Sequence, residues 1–366
     1  MTPQSSFQSE LDRLSELAGD VAPATSLYRS VHWLNELLAH PDALFTNTYL
    51  PMIRQEQSAC TGERPFLTVV TRTQGKRTDM LREVMLSLAA QMDQDFELLL
   101  VGHKVSPEDQ AKLDALLEDF PASLRARVRC LSVHHGTRTT PLNVAFAHAR
   151  GDYIAVLDDD DLVFDNWVSV FHTAAEKGRG TLLHSYVVTQ KWELTEHGPM
   201  ASKAPGSECC HDFRPVNQLE YNMCPLMSIA FPAQYFQRYG LIFDETLTTT
   251  EDWDYIMRLA AFAGVTDIPE TTAIYRMWEN AENSQSLHEQ PEWKRNYARI
   301  QARFTQMPVL LQPDAPKLRL PEGEAPYEIS AERVALKLRV RKLVPTPVWW
   351  TAKKVYRLCG GKKWLG

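Results

Sequence analysis

The chain has 366 residues, of which 44% are hydrophobic and 23% charged, and a formal net charge of −7. That length holds one large domain with extensions or two ordinary domains, and the composition is globular rather than disordered. The acidic balance excludes a surface that gathers nucleic acid by bulk charge. Cysteines at 60, 130, 209, 210, 224 and 359, with no C-x-x-C pair, fit a reduced setting better than a disulfide scaffold.

Residues 1–62 read as a helical N-terminal extension. Leu11, Leu14 and Leu17, then Leu27, Val31, Leu34 and Leu38, recur at helical spacing. The opening "MTPQSSFQSELDRLSEL" lacks a basic patch followed by an apolar run. No run reaches the roughly 18 apolar residues of a spanning helix. A cytoplasmic location is therefore expected.

From Pro65 the pattern alternates. "FLTVVT" (66–71) is a buried strand, and "DMLREVMLSLAAQM" (79–92) has a helical apolar face with Asp79 at its N-cap. "FELLLVG" (96–102) is the next strand, and "SPEDQAKLDALLEDF" (106–120) the next helix, entered by Ser106 and Pro107. "VRCLSV" (128–133) and "YIAVLD" (153–158) are strands with the helix "PLNVAFAHA" (141–149) between them. Such alternation predicts βαβ units and a mostly parallel sheet flanked by helices. Ligands bind such sheets beyond the carboxyl ends of the strands.

Four aspartates, Asp158–Asp161, stand at that edge. Two unit charges about 4 Å apart repel by roughly 4 kcal/mol at an effective dielectric near 20, so the cluster is best tolerated around a cation. Residues i and i+2 of an extended segment point the same way, which lets Asp158 and Asp160 face one ligand while Asp159 and Asp161 turn elsewhere. Hard cations such as Mg²⁺ and Mn²⁺ take one or two carboxylates plus substrate phosphates. A solvated acidic turn is the competing reading.

Beyond residue 180, "TLLHSYVVTQKW" is a strand or hairpin arm, and 196–218 is loop-like. "TTTEDWDYIMRLAAFAG" (248–264) is a helix with Trp253, Ile256, Met257 and Ala260 on its apolar face and Gly264 at its end. Glu251 and Asp252 lie in its first turn, where acids complement the helix dipole or where a carboxylate base would be rigidly held. "TTAIYRMW" (271–278) is a further strand. From about 306 the chain is proline-containing and then basic, with Trp349, Trp350 and Trp364 interleaved. Such a tail reads as a peripheral membrane contact at the inner face, a mobile terminus, or a docked helix broken by Pro345 and Pro347.

Taken together, "PFLTVVTRTQGKRTDMLREVMLSLAAQMDQDFELLLVG", "PLNVAFAHARGDYIAVLDDDDLVFDNW", "GLIFDETLTTTEDWDYIMRLA" and "YRMWENAENS" resemble glycosyltransferase family 2, the inverting sugar-nucleotide transferases of the GT-A fold, from about residue 65 to 285. The resemblance implies a GT-A domain over 63–305, with a nucleotide-binding half (63–164) and an acceptor-side half (165–305), followed by the tail 306–366. It also implies that Asp160 holds Mn²⁺ or Mg²⁺ on the donor diphosphate, that Asp158 and Asp159 meet the donor, and that Asp252 deprotonates an acceptor hydroxyl. Thr71, Arg72, His103 and Arg138 occupy donor-side places, and Glu251 and Trp253 acceptor-side ones, although Trp253 also suits core packing. Two departures stand out. "VGHKVS" replaces the acidic turn with which relatives read the nucleotide base, and Trp278 stands where many relatives have a His near the diphosphate. The expected partners are a nucleotide-sugar donor and a glycan, lipid-linked or small-molecule acceptor, with no nucleic acid. A nucleotidyltransferase is the alternative enzyme, on the thin phosphate-loop likeness of "TRTQGKR"; a non-catalytic sugar-nucleotide or glycan binder is the third reading.

Overall fold

A computed structural model of the chain describes residues 43–60, 62–220, 222–279 and 290–304. The expected helices over Leu11–Leu38 and the basic tail lie outside these residues. Among the described residues no helix is long and apolar enough to cross a membrane, and Cys60, Cys130, Cys209, Cys210 and Cys224 are free thiols.

The alternating pattern folds into a parallel unit. Strands β1 (Leu67–Thr73), β2 (Phe96–His103), β3 (Val128–Val133) and β4 (Tyr153–Val156) lie in the spatial order β3-β2-β1-β4, all parallel. Every residue of β2 is buried, as expected of a strand covered on both faces. The strand order reverses between β1 and β4, so the carboxyl ends of these two strands form the crevice at which such sheets take ligands. Arg72 and Thr73 end β1, and the aspartates follow β4.

The second half departs from the expected parallel pattern. β9 (Ile229–Pro232) lies antiparallel between β4 and β6 (Leu182–Thr195), and β10 (Val265–Trp278) runs parallel to β6. The two-residue β5 (Leu162–Val163), straight after the aspartates, pairs antiparallel with β10. The stretch expected to be loop carries β7 (Gly198–Ala201) and β8 (Gly206–Cys209), both antiparallel to β6.

Helices cover both faces. On one, Leu81, Val84, Met85 and Leu88 of helix Thr78–Ala89 pack with Trp167 and Phe171 of helix Trp167–Lys177. The expected cap Asp79 lies in the first turn of Thr78–Ala89, and Arg77 holds the N-cap position. Ser106 does cap the helix Pro107–Glu118, accepting from the Asp109 amide at 3.1 Å. On the other face Phe146, of helix Thr140–His148, meets Phe231, Phe236, Phe243 and Tyr255 at ring-centroid distances of 5.0–5.8 Å. Phe45, Tyr49 and Ile53, from a π-helical turn and helix Leu50–Ala59, join this same core.

Phe146 is the hub of that aromatic cluster and has no solvent exposure. Phe146→Ala is expected to cost about 3–5 kcal/mol, read as a lower urea midpoint with an unchanged slope.

Candidate active site

The crevice is built from three segments. The first is the end of β1. Alternation sends Arg72 to the face of Val70 and helix Thr140–His148, and Thr73 to the opposite face. The second is Asp158–Asp161, where the same alternation holds. Asp159 and Asp161 are each 3% exposed and buried, whereas Asp158 and Asp160 keep side-chain exposures of 32% and 17%. The third is the start of helix Glu251–Ala263.

Each aspartate is partnered, and Asp159 and Asp160 share Arg77. Arg72 Nε donates to Asp158 Oδ1 at 3.1 Å. Thr73 Oγ1 donates to Asp159 Oδ2 at 2.6 Å, and Arg77 pairs with Asp159 Oδ1 through Nη2 and with Asp160 Oδ2 through Nη1, the latter at 2.6 Å. Asp161 Oδ1 accepts the backbone N–H of Arg276 at 2.9 Å, fixing the turn against β10. The repulsion within the run is thus met by the guanidinium groups of Arg72 and Arg77.

The same Arg72 reaches the third segment. Its Nη1 donates to Glu251 Oε1 at 3.2 Å, and Arg138 Nε pairs with that oxygen at 2.8 Å. Burial pulls the Arg72 guanidinium down, but Asp158 and Glu251 hold it above its ordinary value. Arg72 in turn holds Asp158 below the usual carboxylate range against the opposing effect of burial. Acids from β4 and from the distant helix therefore converge on one arginine. Tyr275, on β10, marks the same convergence: its phenol is pushed up first by burial and then by Asp161, Asp252, Asp158 and Asp160.

Asp252 stands beside this bridge. Asn222 Nδ2 donates to its Oδ2 at 3.1 Å, and the Trp253 amide to its Oδ1 at 2.8 Å. Burial, and next the neighbouring Glu251 charge, push its carboxyl up to about 6. Asp160 is likewise pushed up to about 6, first by burial and then, against the pull of Arg77, by Asp158 and Asp159. Thr250, just before the acid pair, has φ 61° and ψ 19°, a left-handed conformation that a β-branched residue adopts only under strain.

The remaining expected site residues lie around this bridge. Trp253 is 1% exposed, donates from Nε1 to Gln218 O at 2.7 Å and packs on Tyr297 in the core. Glu251 is also 1% exposed and faces the two arginines rather than an acceptor. Thr71 is wholly buried, with its hydroxyl unpaired among the described residues, because alternation turns it away from the face that carries Arg72. His103 ends β2 with Nε2 engaged at 3.1 Å by His135 O, and burial lowers its pKa. Trp278 is buried beside Arg276, its ring centroid 5.8 Å from the guanidinium carbon, which stacks more closely on Trp192 at 4.3 Å. Sequence reasoning passed over Thr73, Arg77, Asn222 and Tyr275, which the fold brings to the crevice from turns and strand ends.

Comparison with known proteins follows the same outline. The sequence profile described as Glycosyl transferase family 2 matches residues 68–225. Over those residues the chain is similar to glycosyltransferase family 2. Two proteins named as uncharacterized glycosyltransferases, from Rickettsia felis and Rickettsia conorii, are each 24% identical over 196 residues, covering 50% of this chain and 30% of their own length. The chain thus spans about a third of the length of the curated relatives it matches. Among solved structures, S. aureus TarS 1–349 in complex with UDP-GlcNAc is similar with a TM-score of 0.51 and 16% identity, over 64% of this chain and 65% of that one. That likeness supports the GT-A type of fold for this chain.

Glu251 is the buried anion between two arginines. Glu251→Ala is expected to cost about 3–5 kcal/mol, the usual loss when one partner of a buried ion pair is removed, measured by chemical denaturation. Glu251→Gln should cost less and should lower the Asp252 pKa, observable by carboxyl ¹³C NMR titration, because it removes the adjacent negative charge.

Proposed function

We propose that this domain is an inverting glycosyltransferase that moves a sugar from a nucleotide-sugar donor to an acceptor hydroxyl, with Asp252 as general base. The observation that carries the reading is the Arg72 bridge from Asp158 to Glu251, which holds the acid run after β4 and the base-bearing helix in one crevice. Inversion asks for a base across the sugar ring from the departing diphosphate, supplied by a chain segment remote from the one that holds the donor. The family match and a structural neighbour solved with UDP-GlcNAc support a nucleotide-sugar donor.

The residues fit a divalent metal. Arg77 already seats a cation between Asp159 and Asp160, so this corner of the crevice is built for positive charge. Hard cations at such sites take one or two carboxylates, completed by diphosphate oxygens and water. Asp160, with Asp158 beside it, would hold Mn²⁺ or Mg²⁺. When bound, such an ion offsets the negative charge that grows on the leaving nucleoside diphosphate.

This chain's own residues do the rest. Arg72 and Arg138 lend positive charge beside the donor carboxylates. Asn222 and the Trp253 amide aim the Asp252 carboxylate. With a pKa of about 6, Asp252 is ionised at neutral pH yet basic enough to take a hydroxyl proton as the bond to the anomeric carbon forms. The acceptor's identity rests with the segment that contains β6 to β9, and a glycan, a lipid-linked sugar or a small hydroxyl compound are the classes to test.

A thermal-shift screen of nucleoside diphosphates with and without Mn²⁺ should single out one nucleotide, since a ligand that binds only the native state raises the melting temperature. Asp160→Ala is expected to abolish the Mn²⁺-dependent part of that shift. Asp252→Asn should keep the shift and lose about 10²–10⁴-fold in transfer, the usual worth of a general base. The rate of transfer in the wild type should hold above pH 6 and fall as pH drops through about 6, where Asp252 becomes protonated. An Asp252→Asn enzyme with near-normal transfer would sink the assignment.

A further inference from the structure

Arg77 enters the crevice in an unequal way. It follows Gly75, whose φ of +77° turns the chain after β1 and whose N–H is tied to Thr73 Oγ1 at 3.0 Å. Its backbone is set at the start of helix Thr78–Ala89. Its guanidinium spans two adjacent carboxylates, but they are not equally secured. Asp159 is buried and has a second anchor in Thr73 Oγ1 at 2.6 Å. Asp160 is partly open, and among the described residues its side chain has Arg77 as its one hydrogen-bond partner. The Arg77 side chain is itself 37% exposed. One end of the bridge is therefore fixed and the other is free to exchange with solvent species.

We propose that Arg77 is an internal counter-cation that competes with the divalent metal for Asp160. In the nucleotide-free protein its Nη1 holds Asp160 Oδ2 and keeps the aspartate run neutralised. Asp160 would pass from Nη1 to a divalent cation bound with a diphosphate, while Nη2 stays on Asp159. The freed N–H then faces the diphosphate oxygens. One guanidinium–carboxylate contact is exchanged for a metal–carboxylate contact plus a guanidinium–phosphate contact. Metal alone meets the full competition of Arg77; metal with nucleotide meets less, because the displaced guanidinium regains an anionic partner. The inference rests on the reading of Asp160 as a metal carboxylate and adds to it a coupling between metal and donor.

The test uses the full chain and Mn²⁺ alone, with free Mn²⁺ followed by electron paramagnetic resonance. Arg77→Gln should bind Mn²⁺ roughly tenfold to hundredfold more tightly than the wild type, the span expected for loss of a competing charge-assisted hydrogen bond. Arg77→Lys, whose single ammonium cannot bridge both carboxylates, should fall between them and decides the matter if the glutamine variant does not fold. Adding UDP should tighten Mn²⁺ binding more in the wild type than in Arg77→Gln. If wild type and both variants bind Mn²⁺ equally, while Asp160→Asn binds it less, the metal reading stands and the competition is overturned. If none binds Mn²⁺ with or without UDP, the metal reading itself falls and takes this inference with it.

Discussion

The ion-paired bridge through Arg72 is the constraint on which the crevice depends. A guanidinium with little exposure must be paired, and its fork geometry allows two carboxylates at once. Here the two come from segments far apart in sequence, Asp158 and Glu251. At that depth Glu251 needs a cationic partner, and the arginine needs its carboxylates. The parallel half and the helix that carries Asp252 are thus held in register by charge as well as by packing. Arg138, paired to the same Glu251 oxygen, doubles the cationic side of the bridge.

The bridge also separates two adjacent acids by environment. Glu251 lies between arginines and is spent on holding the crevice together. Asp252, one residue on, has an amide and an asparagine as partners and sits in the field of the Glu251 charge, so its proton affinity rises into the range useful for catalysis. Neighbouring side chains thus stand in different electrostatic surroundings. The strained Thr250 that precedes them places the helix start where both acids can do this, a cost of order 1–3 kcal/mol that the surrounding packing must offset.

Much of this was legible in the sequence. The first two strands, the edge at which the aspartates stand, and the division of the run into two outward and two inward carboxylates all follow from periodicity. What could not be read were pairings between remote segments. β9 enters the sheet antiparallel beside β4, and no local pattern announces a partner so far along the chain. Nothing in "TTTEDWD" shows Glu251 turned inward onto two arginines, which depends on what packs against the helix. Arg77 sits in a turn, where residue type gives little hint of direction, and only the fold shows that the cation demanded by four consecutive acids is partly supplied by the chain itself.

That internal supply has a consequence for how such a site works. A run of carboxylates with no counter-charge would either take up protons or hold a metal permanently. Fixed arginines on every carboxylate would exclude the metal altogether. This chain lies between these limits. Asp158 is locked by Arg72, Asp159 by Thr73 and Arg77, and Asp161 by the Arg276 amide, so among the described residues the one member held by a single, half-open partner is Asp160. Asp160 is thus the acid of the run whose counter-cation is easiest to displace.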